Sequence, residues 1–259
     1  LGISRNPHLQ AGGESAARAR LKLFLEQRVG TYCVGRDQLG EPATSRLSAD
    51  IKFGTLSVRT IWRSVEELGV KGQGESAETF LNELIWRDFS YSTLWDRPEV
   101  LRVPFRPSWK GFPWRNDPEE WRAWKNGQTG YPVIDAGARQ LLETGFVHNR
   151  ARMITASFLC KHLLIDYRRG ESHFLKYLTD GDWAQNNAGW QWSAGCGCDA
   201  QPYFRVFNPI TQGAKFDPAG NYVRRWVPEL KHLPNRYIYR CLLYTSPSPR
   251  DRTRSRMPS

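Results

Sequence analysis

Acid, thiol and long apolar runs are all scarce in this chain, and each shortage removes a class of protein. Five cysteines in 259 residues are too few and too scattered for a disulfide framework. Cys196 and Cys198 form the only close pair. A structural zinc site needs a second pair that the sequence lacks, so no metal is expected and the cysteines read as reduced thiols in a loop. No stretch approaches the ~20 apolar residues of a membrane span, and the N-terminus has no secretory-signal pattern. The expected setting is intracellular, cytoplasmic as in bacteria, without membrane association. Alternating β-branched runs are nearly absent, which removes the main signal for a sheet.

The charge balance is 26 acidic against 37 basic residues, a formal net charge of +11. Excess cation favours a polyanionic partner through counterion release. The chain also holds 11 tryptophans, 10 tyrosines and 12 phenylalanines. Cations interleaved with aromatic faces suit nucleic acid, because bases stack on rings. A basic protein that spends its tryptophans on its core is the plain alternative.

Helical periodicity fills the rest. Ser15 to Val29 is predicted as a helix on the spacing of Leu21, Leu25 and Val29. Ser57 is a candidate cap for a helix carrying Val58, Ile61, Val65 and Leu68, with Gly69 at its end. Ser76 opens Ala77–Tyr91, and Asp117 with Pro118, Glu119 and Glu120 makes a strong helix start. Pro132–Glu143 stops at Gly145, and Asn149–Asp166 reads as one long helix. The fold class is all-α, without internal repeats. Residues 93–116 and 195–222 are irregular and aromatic, as functional loops often are. The organisation is a linker and first helix over 1–31, a main helical domain over 32–240, and a tail over 241–259. That tail carries four arginines against Asp251. It reads as disordered and as a candidate for non-native sequence, with an RNA-binding Arg-Ser tail as the alternative.

Four constellations carry chemistry. Residues 180–192 place Asp180, Asp182, Asn186, Asn187, Trp190 and Trp192 within thirteen positions. A packing helix has little use for that mixture, because buried polar groups need partners. A site for a planar, hydrogen-bonding aromatic molecule beside an aromatic platform uses all of it. Thr44, Ser45, Arg46, Leu47 and Ser48 precede a helical region and can cradle phosphate. Glu83 and Arg87 are spaced to pair along one helix face, flanked by Phe80 and Trp86. Arg150 and Arg152 cannot share a face, so at least one is expected to leave the core for an acid or anion.

Leu81–Arg87, Thr129–Asp135, His148–Phe158, Asp180–Trp192 and Tyr203–Pro209, in this order, resemble the FAD-binding half of a DNA photolyase, specifically the class I cyclobutane-dimer enzymes of the photolyase/cryptochrome superfamily. The resemblance runs from about Tyr32 to Leu230. It implies a U-shaped FAD in an all-helical bowl. By the resemblance, Tyr32 and Thr44–Ser48 hold phosphates and ribityl chain, while Phe80, Glu83 and Arg87 line the pocket mouth. Asn149 and Arg152 contact the isoalloxazine region, Asp180, Gly181 and Asp182 meet the flavin ring and its chain, and Asn186 lies beside flavin N5. An amide there resembles photolyases, whereas plant cryptochromes typically carry the proton-donating Asp.

The implied reaction is light-driven electron transfer from fully reduced FAD to a flipped-out pyrimidine dimer in damaged DNA. Flipping costs a few kcal/mol, less for a damaged pair; photolyases are a named case of that rule. Trp86 and Trp192 match the pair that sandwiches the dimer, Glu83 the residue that hydrogen-bonds its bases, and Met153 the one that touches its ring. Arg36, Arg150, Arg205 and Gln212 match positions near the DNA backbone or lesion. Repair of (6–4) photoproducts relies on histidines where this chain has Asn149 and Met153, so dimer repair alone is expected. The protein is expected to act as a monomer.

Three departures stand out. The resemblance implies a photoreduction chain through Trp190, position 167 and Trp114, yet residue 167 is Tyr. Tyrosine is oxidised readily only with loss of its phenolic proton, so photoreduction is expected to be slow or diverted through Trp124. Phe146 replaces a family Trp against the flavin region. The chain begins at Leu1 and reads as a fragment whose N-terminal α/β antenna domain, the expected seat of folate or deazaflavin, is missing. The alternatives are a cryptochrome-type photoreceptor without repair and a passive basic nucleic-acid binder, for which Asp180 and Asp182 make little sense.

Overall fold

The computed structural model describes residues 6–69, 74–199 and 205–239. Thirteen helices are found among them: α1 (Glu14–Gln27), α2 (Tyr32–Gly35), α3 (Ser48–Lys52), α4 (Val58–Gly69), α5 (Gly74–Asp96), α6 (Pro118–Lys125), α7 (Pro132–Thr144), α8 (Asn149–Lys161), α9 (Tyr167–Tyr177), α10 (Trp183–Ala194), α11 (Pro209–Phe216), α12 (Asn221–Trp226) and α13 (Asn235–Ile238). No strand occurs among the described residues, so the all-α expectation holds. Tyr203, Phe204 and the 241–259 tail lie outside the described residues.

Two apolar clusters organise the helices. One gathers Ala17, Leu21 and Phe24 of α1 with Tyr32, Leu47, Ile61, Val65, Phe80 and Leu84. The other, larger, is built on α7, α8, α9 and α10 around Trp124, Ile134, Phe158, Leu159, Phe174 and Trp190. Helix α10 packs against α8, α9 and α5, and α5 also meets α2 and α4, so α5 and α10 join the two halves. α1 is therefore part of a core. A buried ion pair fixes it: Arg20 Nε and Nη2 donate to the two carboxylate oxygens of Asp50 in α3 at 2.9 and 2.5 Å. That pair ties α1 to α3, directly after the 44–48 segment whose Leu47 packs in the first cluster.

Local chemistry explains most helix ends. Asp117 accepts from the N–H groups of Glu119 and Glu120, capping α6 ahead of Pro118. Thr60 N–H donates to Ser57 Oγ at 3.1 Å, the cap expected for α4. Gly145 closes α7 in the left-handed conformation at φ 62°. Two boundaries differ from the expectation. Helix α5 starts at Gly74 and runs to Asp96, because Ser76 is a buried interior residue and not a cap. Its Oγ accepts from Cys33 N–H at 3.2 Å and ties α5 to α2. The long 149–166 helix breaks after Lys161: Leu164 adopts φ 51°, and Asp166 caps α9 by accepting from Arg168 N–H at 3.0 Å. No glycine or proline marks that break, so apolar periodicity ran straight through it.

Candidate functional site

Between α5, α8 and α10 lies a cavity of about 360 Å³. It is lined by Trp86 from α5, by Asn149, Arg152 and Met153 from α8, and by Asp180, Gly181, Asp182, Asn186, Trp190 and Trp192 on and before α10. Ten of the expected site residues thus meet in one place. Trp86 and Trp192 come from facing helices, and 51% of Trp86 is open to solvent. Such an exposed indole beside a cavity is a ready stacking surface.

The polar wall is built around Asp180. Arg152 Nη2 donates to both of its oxygens, at 3.0 and 2.7 Å, while Arg152 Nε donates to Val147 O at 2.7 Å. Burial pushes the Asp180 carboxyl up, but Arg152 beside it, the Ser48 hydroxyl and Arg46 together leave it below the usual carboxylate range. Arg46 sits at φ 59° with its guanidinium 3.5 Å from the Phe146 ring centre. Burial lowers its pKa to about 10. Arg46, Ser48, Arg152 and Asp180 thus form one charge cluster, and two guanidiniums share the Phe146 ring, Arg152 at 5.5 Å. The 44–48 segment flanks the cavity through that cluster and does not line it.

Asp182 caps α10, accepting from Gln185 N–H at 3.0 Å. Its second oxygen accepts from the Tyr91 hydroxyl. Gln185 Nε2 donates to Arg87 O at 2.9 Å, and the Arg87 guanidinium lies 4.5 Å from the Tyr91 ring centre. Tyr91 was invisible as a site residue in the sequence, because nothing local ties it to a carboxylate 91 positions away.

Residues 183–194 are in fact a packing helix, despite the polar mixture. The adjacent amides divide their work. Asn187 Nδ2 donates to Glu171 Oε1 at 2.9 Å and Val100 O at 3.1 Å, and Gln191 Nε2 donates to Val100 O at 2.9 Å while its oxygen accepts from Phe105 N–H at 2.7 Å. These buried amides bind the irregular 98–105 segment to α10, the partners that such burial requires. Asn186 also borders the cavity, with Nδ2 donating to Glu171 O at 3.0 Å. Burial raises the Glu171 carboxyl to about 7, against the opposing hydrogen bond from Asn187. The sequence reading missed Glu171, since a lone Glu in a helix looks like surface.

The remaining expected residues lie outside the cavity lining. Glu83 does not pair with Arg87; it meets Arg36 at 2.7 Å, and Arg87 turns to Asp88 and Tyr91. Arg36 reaches Glu83 from α2, a nearer opposite charge than the same-helix arginine, which is held by the Tyr91 ring. Tyr32 and Phe80 meet edge-on at 5.3 Å in the first apolar cluster, with burial pushing the Tyr32 phenol up to about 12. Arg150 donates to Asp37 Oδ1 at 2.6 Å over the Phe216 ring, so both arginines of α8 find acids, on opposite sides. Arg205 lies over Phe207, and Gln212 is half-buried on α11. Trp114 and Tyr167 meet edge-on at 6.4 Å behind α10.

The donor set fits a flavin nucleotide. Asp180 and Asp182 offer acceptors to ring N–H and sugar hydroxyl groups, Arg46 offers a cation to phosphate, and Gly189 leaves open space where a side chain would otherwise stand. Among the described residues no cluster suited to a metal ion occurs, and no helix is long and apolar enough to cross a membrane.

Comparison with known proteins gives the same picture. A family model described as the FAD binding domain of DNA photolyase matches residues 80–256. The deoxyribodipyrimidine photo-lyase of Agrobacterium fabrum is 46% identical over 228 residues, covering 88% of this chain and 48% of that protein. The Escherichia coli protein of the same name is also 46% identical, covering 87% and 48%. Among solved structures, a class III photolyase from Agrobacterium tumefaciens superposes with a TM-score of 0.85 at 46% identity, covering 88% of this chain and 47% of that one. A Synechocystis cryptochrome gives 0.85 at 36% identity, covering 92% and 51%. The chain spans about half the length of the curated relatives it matches.

Proposed function

Because the chain belongs to the FAD-binding domain family of DNA photolyase, we propose that it binds FAD and repairs cyclobutane pyrimidine dimers in DNA with light. The observation that carries this reading is the sharing of one cavity by two sets of residues. The carboxylates and Asn186 that suit a flavin line the same space as Trp86 and Trp192, which suit a flipped base pair. Bound FAD supplies, in its reduced and light-excited form, the electron that opens the dimer. The protein contributes the rest. Asp180, held by Arg152, and Asp182, held by Tyr91 and the α10 N-terminus, offer fixed acceptors for the cofactor. Tyr32, Phe80, Glu83, Arg87, Asn149 and the 44–48 segment complete the proposed cofactor site, with Arg46 toward phosphate. Trp86 and Trp192 grip the lesion, Met153 and Glu83 contact it, and Arg36, Arg150, Arg205 and Gln212 face the DNA. With Asn149 and Met153 where imidazoles would be needed, the reading is restricted to dimers.

The finer parts of the proposal are class I membership, resting on the motif order alone, an antenna pigment (folate or deazaflavin) carried outside this chain, and an intracellular monomer as the working form. A solved relative at 46% identity is a class III photolyase. The competing reading, a photoreceptor that binds FAD without repair, rests on the cryptochrome superposition at TM-score 0.85 and 36% identity, against the same score at 46% for the photolyase. Light-dependent repair of a thymine-dimer oligonucleotide by the chain loaded with reduced FAD decides between them. Repair supports the lyase; flavin fully reduced, bound and inert toward the dimer supports the photoreceptor.

A further inference from the structure

Arg46 stands beside the cavity without an acid of its own. Asp180 favours its charge but is paired with Arg152, and Asp50 is taken by Arg20, so Arg46 forms no ion pair among the described residues. Burial lowers its pKa only to about 10, and the half-buried guanidinium therefore stays charged at neutral pH. A cation drawn out of water in this way is costly unless a ligand supplies the anion.

Two side chains far from it in sequence fix its position. Gln10 Nε2 donates to Arg46 O at 3.1 Å and to Asp50 Oδ2 at 3.4 Å, and Gln10 Oε1 accepts from Arg46 Nε at 3.5 Å. One amide thus grips residue 46 by its main chain and its side chain together. The grip matters because Arg46 lies at φ 59°, a left-handed conformation that a residue with a Cβ keeps only where its surroundings hold it. Phe146 supplies the second hold, with the guanidinium 3.5 Å from its ring centre. Nε is turned to Gln10, which leaves the two Nη groups for a ligand.

Gln10 is itself delivered by a short docked strap, residues 6–10. Asn6 Oδ1 accepts from His8 N–H at 2.9 Å, closing a turn, and Asn6 Nδ2 donates to Glu143 O in α7 at 2.8 Å. Leu9 packs over Gly145, where an added Cβ would stand 3.1 Å from Leu9 Cδ2. Phe146 follows directly on Gly145. The strap and the Phe146 ring therefore reach Arg46 from one junction.

We propose that Gln10 is a positioning residue for the phosphates of the cofactor, acting through Arg46, and that residues 6–10 belong to the cofactor site although none of them lines the cavity. The inference rests on the flavin-binding reading above, in which Arg46 points toward phosphate. With Gln10 in place the Nη donors are set before any ligand arrives, so less ordering is left for binding to impose. Without it, the left-handed turn at Arg46 loses its clamp and the guanidinium swings on its own stem.

Equilibrium binding of riboflavin, FMN and FAD to the flavin-free chain, followed by flavin fluorescence, separates phosphate from ring. Gln10→Met keeps the length of the side chain and removes both polar atoms. Gln10→Glu hands Arg46 a carboxylate that competes with phosphate. Both are expected to weaken FMN and FAD about fivefold, the weight of one hydrogen bond, while riboflavin changes by less than about twofold. Thermal melts accompany the titrations, and the half-buried site of Gln10 is expected to spare the fold. Riboflavin weakened as much as FMN and FAD, or unchanged affinity for all three in both variants, would overturn the proposal and leave the flavin reading intact. Loss of the fold in both variants would do the same, since Gln10 would then be structural alone. A wild-type chain that binds none of the three flavins would overturn both.

Discussion

Replacing Asp180 by Asn tests whether the cavity wall is held by charge. The substitution keeps shape and some hydrogen bonding but leaves Arg152, and Arg46 behind it, without their shared anion. Removing one partner of a buried pair costs about 3–5 kcal/mol. The Asp180 side chain is 3% exposed but that of Arg152 is 26% exposed, so water partly screens the stranded cation and the lower end applies. The expected loss is about 3 kcal/mol, or a fall in Tm of roughly 6–12 °C for a domain of this size. The sign of its pH dependence follows from the depressed carboxyl. The folded value lies below the unfolded value of about 3.9, so the contribution is complete above that pH and disappears as pH falls through the folded value. Urea denaturation of wild type and Asp180→Asn at pH ~7, ~5 and ~3 gives the comparison. The difference should be the same at the two higher values and shrink at the lowest. A loss below about 1 kcal/mol at neutral pH, the level of an exposed pair, would refute the argument, as would a difference that ignores acid.

The buried Glu171 makes the opposite prediction. Its carboxyl is raised to about 7 by burial, so the folded state holds the proton more tightly and stability drops as pH rises from about 4.5 to about 7. Glu171→Gln keeps the acceptor for Asn187 and should raise Tm at alkaline pH, by an amount worth about 2–3 kcal/mol at most, and change little in mild acid; equal shifts at both pH values in thermal melts would count against it. Gly170→Ala places a Cβ 2.2 Å from Trp190 and 2.6 Å from Leu159 Cδ2, and overpacking of this kind costs about 1–3 kcal/mol, readable by denaturant unfolding. Trp86→Ala should weaken binding to a dimer-containing oligonucleotide by about 1–3 kcal/mol, with little effect on Tm because the ring is half-exposed; unchanged affinity in a fluorescence titration would remove Trp86 from the proposed grip.

The fold was largely legible because its determinants are local. Asp117, Pro118 and Gly145 act on their own turns, and apolar spacing along α4, α5 and α7 marks the buried faces. Residue chemistry alone marked the site where it concentrates in one segment, as at 180–192, and the family resemblance added Trp86, Asn149, Arg152 and Met153. It failed where partners come from elsewhere. Tyr91 meets Asp182, Arg36 displaces Arg87 from Glu83, and Glu171 is neutralised by burial that no local pattern announces. Asp166 was a readable cap, yet continuous apolar spacing on either side outweighed it and hid the break at Leu164.

The 180–192 segment also shows why a polar mixture is compatible with a packing helix. Asn187 and Gln191 lie one turn apart on the buried side, where four hydrogen bonds to residues 100–105 and Glu171 replace water. Asn186 is rotated from Asn187 by one residue, about 100° around the helix, and donates to the Glu171 backbone carbonyl instead, while all three amides border the cavity. Trp190 and Trp192 are two residues apart, about 200° of rotation, which is why one is packed against Trp124 and the other half-open toward Phe207. One helix therefore carries the amides that pin residues 100–105, the Asn186 amide and both tryptophans beside one cavity, their directions fixed relative to each other by the backbone. Any substitution that tightens the buried amides should stiffen the rest, and one that loosens Gln191, such as Gln191→Ala, should free the 98–105 segment and shift Trp86 and Trp192 out of register together.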